Sequence, residues 1–146
     1  MAVKPVPEGY HTYTPYYVVE GAAEFLDFLK KAFGAEETLR MPAPGGRIGH
    51  AEVRIGTSML MLADASLPEH PVRQFNGMLY VNDADAVFKT AVAAGARSER
   101  QPENMFYGDR MGGVVDRWGN HWWIGTHVED VSPEEMKRRM AAAKKT

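Results

Sequence analysis

The chain has 146 residues and a mass of 16.3 kDa, enough for one domain that removes roughly 70% of its unfolded surface from water. Hydrophobic residues make up 45% and charged residues 25%, the proportions of a globular protein rather than a disordered one. A net charge of −2 lacks the basic field a nucleic-acid partner needs, and the absence of cysteine excludes disulfides, thiolate metal sites, Fe–S clusters and thiol catalysis.

A strand is expected over residues 12–19, rich in Thr, Tyr and Val. Ala22, Phe25, Leu26 and Leu29 then follow the i, i+3, i+4, i+7 spacing of an amphipathic helix that stops at Gly34. Three more strands are expected over 36–41, 49–55 and 58–63, parted by Pro42-Ala43-Pro44-Gly45-Gly46 and by Gly56-Thr57. Residues 64–75, with Pro68 and Pro71, read as a linker. The pattern then repeats at an offset of 62 residues: a strand over 78–81, a helix with Asp83 as N-cap and Ala84, Val87, Phe88 and Ala91 inward, Gly95, and strands over 96–101, 110–115 and 121–126. Asp116-Arg117-Trp118-Gly119-Asn120 links the last two. Ser132 and Glu135 form a capping box with Pro133 between them, opening a final helix over 132–144 outside the repeat. The expected fold is α+β: two βαβββ modules, about 10–64 and 76–128, whose eight strands curve around a shared cup. Cups bind small molecules. No apolar run reaches the ~18 residues of a membrane span and residues 1–11 lack a signal-peptide stretch, so a cytoplasmic protein with no membrane partner is expected.

Five segments carry a family resemblance. They are Thr14-Pro15-Tyr16-Tyr17-Val18-Val19, Phe28-Leu29-Lys30-Lys31-Ala32-Phe33-Gly34-Ala35, Gly49-His50-Ala51-Glu52-Val53-Arg54-Ile55-Gly56, Tyr107-Gly108-Asp109-Arg110 and Asp116-Arg117-Trp118-Gly119-Asn120-His121-Trp122. Together they resemble the PhnB-like branch of the vicinal oxygen chelate superfamily, the fold of glyoxalase I, bleomycin-resistance proteins and extradiol dioxygenases. The resemblance covers nearly the whole chain and speaks for the fold, not for one activity. It implies that metal-dependent relatives hold one divalent ion with two His, Glu or Gln ligands from each half. Matching the motifs puts those positions on Thr14, Met61, Asn76 and Trp123. A hydroxyl, a thioether, an amide and an indole make a poor ligand set, because thioether is too soft for the hard ions and indole cannot ligate. No cofactor is expected, and a divalent metal at another site is the alternative.

Period 2 puts His50, Glu52 and Arg54 on one strand face and Ala51, Val53 and Ile55 on the other. The polar row either lines the cup, with His50 and Glu52 as catalytic candidates, or forms an exposed face with a Glu52–Arg54 link. His121 shares a face with Trp123 and Gly125. Tyr16, Met59, Met61 and Met78 join the inward set by parity, and a Tyr, Trp and Met lining suits a flat or hydrophobic ligand. Tyr107 and Arg110 offer a stacking ring and a carboxylate or phosphate grip, or else Arg110 pairs internally with Asp109. His11 reads as a strand start, His70 as a solvated linker residue, and His127 as structural. Two functions follow. One is a metal-independent homodimer that binds a small aromatic or hydrophobic molecule, as the bleomycin-resistance resemblance implies. The other is a lyase, isomerase or dioxygenase with a displaced metal on His50, Glu52 and His121. Acid–base chemistry by Glu52 or His50 without metal is a third reading.

Overall fold

The computed structural model describes residues 2–66 and 68–143. Its strands are hydrogen-bonded as two four-stranded sheets, one in each of two units that part between Phe75 and Asn76.

The first unit runs β1 (Tyr16–Val19), α1 (Ala22–Phe33), β2 (Glu36–Ala43), a 3₁₀ turn (Pro44–Gly46), β3 (Arg47–Ile55) and β4 (Ser58–Asp64). The strand order is β1-β4-β3-β2, with β1 parallel to β4 and the other pairs antiparallel. Helix α1 buries Phe25, Leu26, Phe28, Leu29 and Ala32 against the sheet. The strands answer with Tyr17, Val19, Ala51, Val53, Ile55, Leu60 and Leu62, all buried. The opposite face carries Tyr16, Val18, His50, Glu52, Arg54, Met59, Met61 and Ala63. Strand β1 is four residues long rather than the expected eight. Pro15 has no N–H to give the ladder, and its carbonyl accepts the Met61 N–H at 2.9 Å as the last contact before pairing ends. Thr14 therefore precedes the strand.

The second unit runs β5 (Asn76–Tyr80), α2 (Ala84–Ala93), β6 (Arg97–Asn104), β7 (Asp109–Val115), β8 (His121–His127) and α3 (Pro133–Ala143). Its order, β5-β8-β7-β6, repeats the first sheet, with β5 parallel to β8. Helix α2 buries Ala84, Phe88 and Ala91, and Val114, Trp122 and Ile124 fill the sheet side. Strand β6 runs on to Asn104 through Pro102, which an edge strand tolerates.

Helices α1 and α2 are each capped by the last strand of their own unit. Asp64 Oδ1 accepts the Gly21 and Ala22 N–H groups at 3.0 and 2.9 Å, and Oδ2 accepts the Ile48 N–H at 2.7 Å. Burial opposes its charge, but the three donors prevail and hold the carboxyl below its ordinary value. Sixty-two residues on, Thr126 Oγ1 accepts the Ala84 N–H at 2.9 Å and donates to the Val81 carbonyl at 2.8 Å. Asp83 also caps α2 through the Ala86 N–H, at 3.1 Å.

Helix α3 has no fully buried residue. Arg139 ties it to its own unit by donating to the Phe106 carbonyl at 3.0 Å and to both Glu129 oxygens at 2.8 and 2.9 Å. Ser132 Oγ accepts the Glu135 N–H at 3.2 Å, the first half of the expected capping box. Lys144, the last residue of the expected helix, lies outside the described residues, as does Leu67 of the expected linker. No helix among the described residues is long and apolar enough to cross a membrane.

Candidate ligand-binding site

In the first unit, pairing sets Tyr16 beside Met61 and Met61 beside Glu52, so one row crosses three strands on the face away from α1. His50 lies two residues before Glu52 on the same face. The polar side chains there form a continuous chain. Tyr16 Oη meets His50 Nδ1 at 3.0 Å, and His50 Nε2 meets Glu52 Oε2 at 2.7 Å. The Tyr10 hydroxyl donates to Glu52 Oε1. Burial raises the Tyr16 pKa above the ordinary phenol value. Glu52 thus pairs with His50 and Tyr10 rather than with Arg54, which approaches Glu36 at 3.9 Å. Both His50 nitrogens and both Glu52 oxygens are engaged inside this chain.

Beside it lies a cavity of about 560 Å³, within the range of small-molecule sites. Tyr16, Val18, Ala63, Ala43, Ile48 and Ala65 give it a mostly apolar wall. Arg47, Asp64, Ser66 and His70 supply its polar groups. Arg47 donates to the Ala65 carbonyl, and Asp64 is occupied by the three N–H groups capping α1 and opening β3. His70, expected in a solvated linker, is exposed but borders this cavity, because Ser66 and His70 exchange backbone hydrogen bonds of 2.8 and 2.6 Å.

In the second unit the matching row is Met78, Trp123 and Gly113. Trp123 lies flat on Gly113: a Cβ there would meet the indole Cζ3 at 2.6 Å. Met78 likewise covers Gly125, where a Cβ would meet its Cε at 2.5 Å. This row is apolar where its counterpart carries Glu52, while Tyr80, Asp109 and His127 at one end of the same face are polar. Asn76, at the start of β5, is exposed, and His121 beside it is held by Glu99 at 2.8 Å. Met59, inward by parity, is 6% exposed and packs as core.

The Tyr107-Gly108-Asp109-Arg110 motif pins the fold. A Cβ on Gly108, at φ +102, would meet the Glu129 carbonyl oxygen at 2.2 Å. Asp109 is buried, accepting from the Tyr80 hydroxyl at 2.8 Å and meeting His127 Nδ1 at 2.8 Å. His127 also reaches Asp130 at 2.7 Å, and the two carboxylates, Asp109 first, raise its pKa. Arg110 points the other way, onto α2, where Nε contacts both Asp85 oxygens at 3.1 and 3.0 Å. Consecutive strand residues face opposite sides, so the expected alternative pairing of Arg110 with Asp109 does not form and Arg110 is separated from the Trp123 face. Tyr107 donates to Met111 Sδ at 3.1 Å, and burial raises its pKa. In the link before β8, Asp116 accepts from the Trp118 and Asn120 N–H groups at 2.9 Å each and from the Trp122 indole at 2.8 Å.

With these features in place, a family model described as the Glyoxalase/Bleomycin resistance protein/Dioxygenase superfamily matches residues 11–124. The chain belongs to this superfamily. An uncharacterized protein of Mycobacterium bovis is 37% identical over 142 residues, covering 88% of this chain and 91% of that protein. The crystal structure of a gene product of Arabidopsis thaliana superposes with a TM-score of 0.66 at 25% identity, covering 79% of this chain and 98% of that one. A PhnB protein from Bacillus cereus shares the fold, with a TM-score of 0.63 at 15% identity, covering 80% and 99%.

The superfamily's metal chemistry can be tested against the donors here. Thr14 and Met61 belong to the first unit, Asn76 and Trp123 to the second. Met61 sits between Tyr16 and Glu52, and the Trp123 indole offers only an N–H donor. This set does not fit a hard or borderline divalent ion. His50, Glu52 and His121 are engaged within the protein, the first two by each other and by tyrosines and the third by Glu99. No group of three or more His, Asp or Glu among the described residues is gathered to hold an ion.

Proposed function

We propose that this protein binds a small, flat or hydrophobic organic molecule without the help of a metal ion. The cavity of about 560 Å³ carries this reading: its wall is mostly apolar, and it opens beside Tyr16 on the face that α1 leaves uncovered. Its few polar groups orient a ligand, while burial of apolar surface supplies the affinity. Trp123 and Met78, laid against glycine backbone in the second unit, form an adaptable apolar surface of the kind that accepts aromatic rings.

Titration with aromatic compounds in the presence of EDTA tests the reading. Binding to the purified protein with unchanged affinity after chelation is the expected result. Saturation that requires added metal, or no binding across a panel of aromatic compounds by calorimetry, contradicts it. Quenching of Trp123 fluorescence, read against a Trp123→Phe variant, reports whether the second unit takes part.

A second reading has its own observation. The Tyr16–His50–Glu52–Tyr10 chain has the order of roles of a general base: a hydroxyl, an imidazole, and a carboxylate that orients the imidazole. It supports acid–base chemistry on the bound molecule without a metal.

A further inference from the structure

The proton positions in the Tyr16–His50–Glu52 chain follow from donor and acceptor chemistry. An ionised carboxylate only accepts, so His50 Nε2, 2.7 Å from Glu52 Oε2, carries the imidazole proton. In the neutral imidazole His50 Nδ1 is then a bare acceptor, to which the Tyr16 hydroxyl, 3.0 Å away, donates. With its proton committed to His50, the Tyr16 oxygen keeps lone pairs for another donor. Tyr16 also lines the 560 Å³ cavity, so the chain ends at a space sized for a ligand. The Tyr10 hydroxyl on the far Glu52 oxygen fixes the carboxylate, and through it the imidazole tautomer.

We propose that Tyr16, His50 and Glu52 form a metal-free relay that takes the proton of a weakly acidic hydroxyl, a phenol or an enol, on the ligand held in this cavity. The inference rests on the binding reading above and names the ligand's reactive group. The ligand O–H bond breaks and its proton goes to the Tyr16 oxygen. The original Tyr16 proton moves to His50 Nδ1. The products are a ligand oxyanion and an imidazolium whose Nε2–H stays bonded to Glu52, so charge is conserved. A phenol is protonated at neutral pH, and the partial burial of Tyr16 raises its pKa further, so it conducts the proton instead of holding a charge. The other charged or titratable groups bordering the cavity are Arg47, Asp64 and His70. Arg47 favours the oxyanion. The Asp64 carboxylate opposes it, tempered by its three N–H partners. Arg54 extends the same strand face beyond Glu52 and is turned toward Glu36.

Two probes of nearly equal size separate binding from proton transfer. 4-Nitrophenol colours on ionisation, whereas 4-nitroanisole has no proton to lose. In the presence of EDTA, the wild-type protein is expected to bind both and to lower the apparent pKa of bound 4-nitrophenol by at least about one unit. Glu52→Gln and His50→Gln are expected to keep 4-nitroanisole binding and abolish the shift. A glutamine at 52 can donate to Nε2, inverting the tautomer so that Nδ1 no longer accepts. Should either variant fail to fold by circular dichroism, Tyr16→Phe, at a residue 40% exposed, serves in its place and is expected to abolish the shift. Binding of both probes with 4-nitrophenol titrating as in water overturns the relay and leaves the binding reading standing. A shift that survives in the variants also overturns it. If neither probe binds, the cavity reading and the relay fall together.

Discussion

Where the first unit carries Glu52, the second carries Gly113, and the change runs through both uncovered sheet faces. Tyr16, Met61 and Glu52 stand in one row; Met78, Trp123 and Gly113 stand in its counterpart. A side chain at 52 gives the first face a hydrogen-bonded chain and leaves space beside Tyr16. A bare backbone at 113 lets the Trp123 indole lie down and close the surface. The same division of labour marks the helix caps. Gly21 has no side chain to cap α1, so Asp64 accepts the Gly21 and Ala22 N–H groups, besides that of Ile48 in β3, whereas α2 has its own Asp83 and needs only a hydroxyl from Thr126. Duplicated architecture fixes which positions meet within each sheet, and side-chain choice makes the Tyr16, Met61 and Glu52 row part of a polar chain and the Met78, Trp123 and Gly113 row apolar.

Four substitutions sharpen this contrast. Gly113→Val is expected to have the largest effect, because the indole must leave its seat: about 3 kcal/mol of overpacking cost in urea unfolding, with a red shift of tryptophan emission. Unchanged stability and emission would mean that Trp123 does not rest on that backbone. Asp64→Ala is expected to cost about 2 kcal/mol at neutral pH by stripping partners from three N–H groups. The Asp64 carboxyl pKa is lowered in the folded state, so its contribution is full above the ordinary carboxylate pKa and disappears as pH falls through the folded value. The gap between wild type and variant therefore narrows in acid; a constant gap would refute the charge-based cap. Thr126→Ala is expected to cost about 1 kcal/mol with no such acid dependence, and an effect matching Asp64→Ala would erase the asymmetry between the caps. The smallest effect belongs to His127→Gln. The folded His127 pKa is raised, so its contribution is complete below the ordinary histidine value and is lost as pH rises through the folded one. Urea midpoints of wild type and variant should differ at pH 6 and converge at pH 9; equal midpoints at both would remove His127 from the account.

Much of the fold is visible in the residues. Ala22, Phe25, Leu26 and Leu29, repeated 62 positions later, mark both helices, and the alternation from His50 to Ile55 marks which side of β3 is covered. The face assignment of His50, Glu52, Met61, Met78 and Trp123 follows from period 2 alone. What those side chains touch does not. Tyr10 sits in a Pro- and Gly-rich stretch with no periodicity, 42 residues from Glu52, and only the folded chain brings them together. The role of Asp64 is not legible in sequence, because a strand-end carboxylate carries no local capping signature when its helix lies 42 residues earlier. Arg110 reads as a ligand grip because guanidinium chemistry is visible in sequence, whereas the Asp85 carboxylate that holds it belongs to a helix 25 residues away. The cavity border at Ser66 and His70 depends on a two-residue bridge between segments that composition alone marks as linker.

Metal content of the protein purified without a histidine tag, exposed to Zn²⁺, Ni²⁺, Mn²⁺ or Fe²⁺ and then dialysed, tests the central claim most directly. The positions that the family resemblance assigns to metal ligands, Thr14, Met61, Asn76 and Trp123, hold hydroxyl, thioether, amide and indole, so less than about a tenth of an equivalent per chain should remain. Retention of about one equivalent of any of these ions would contradict the account.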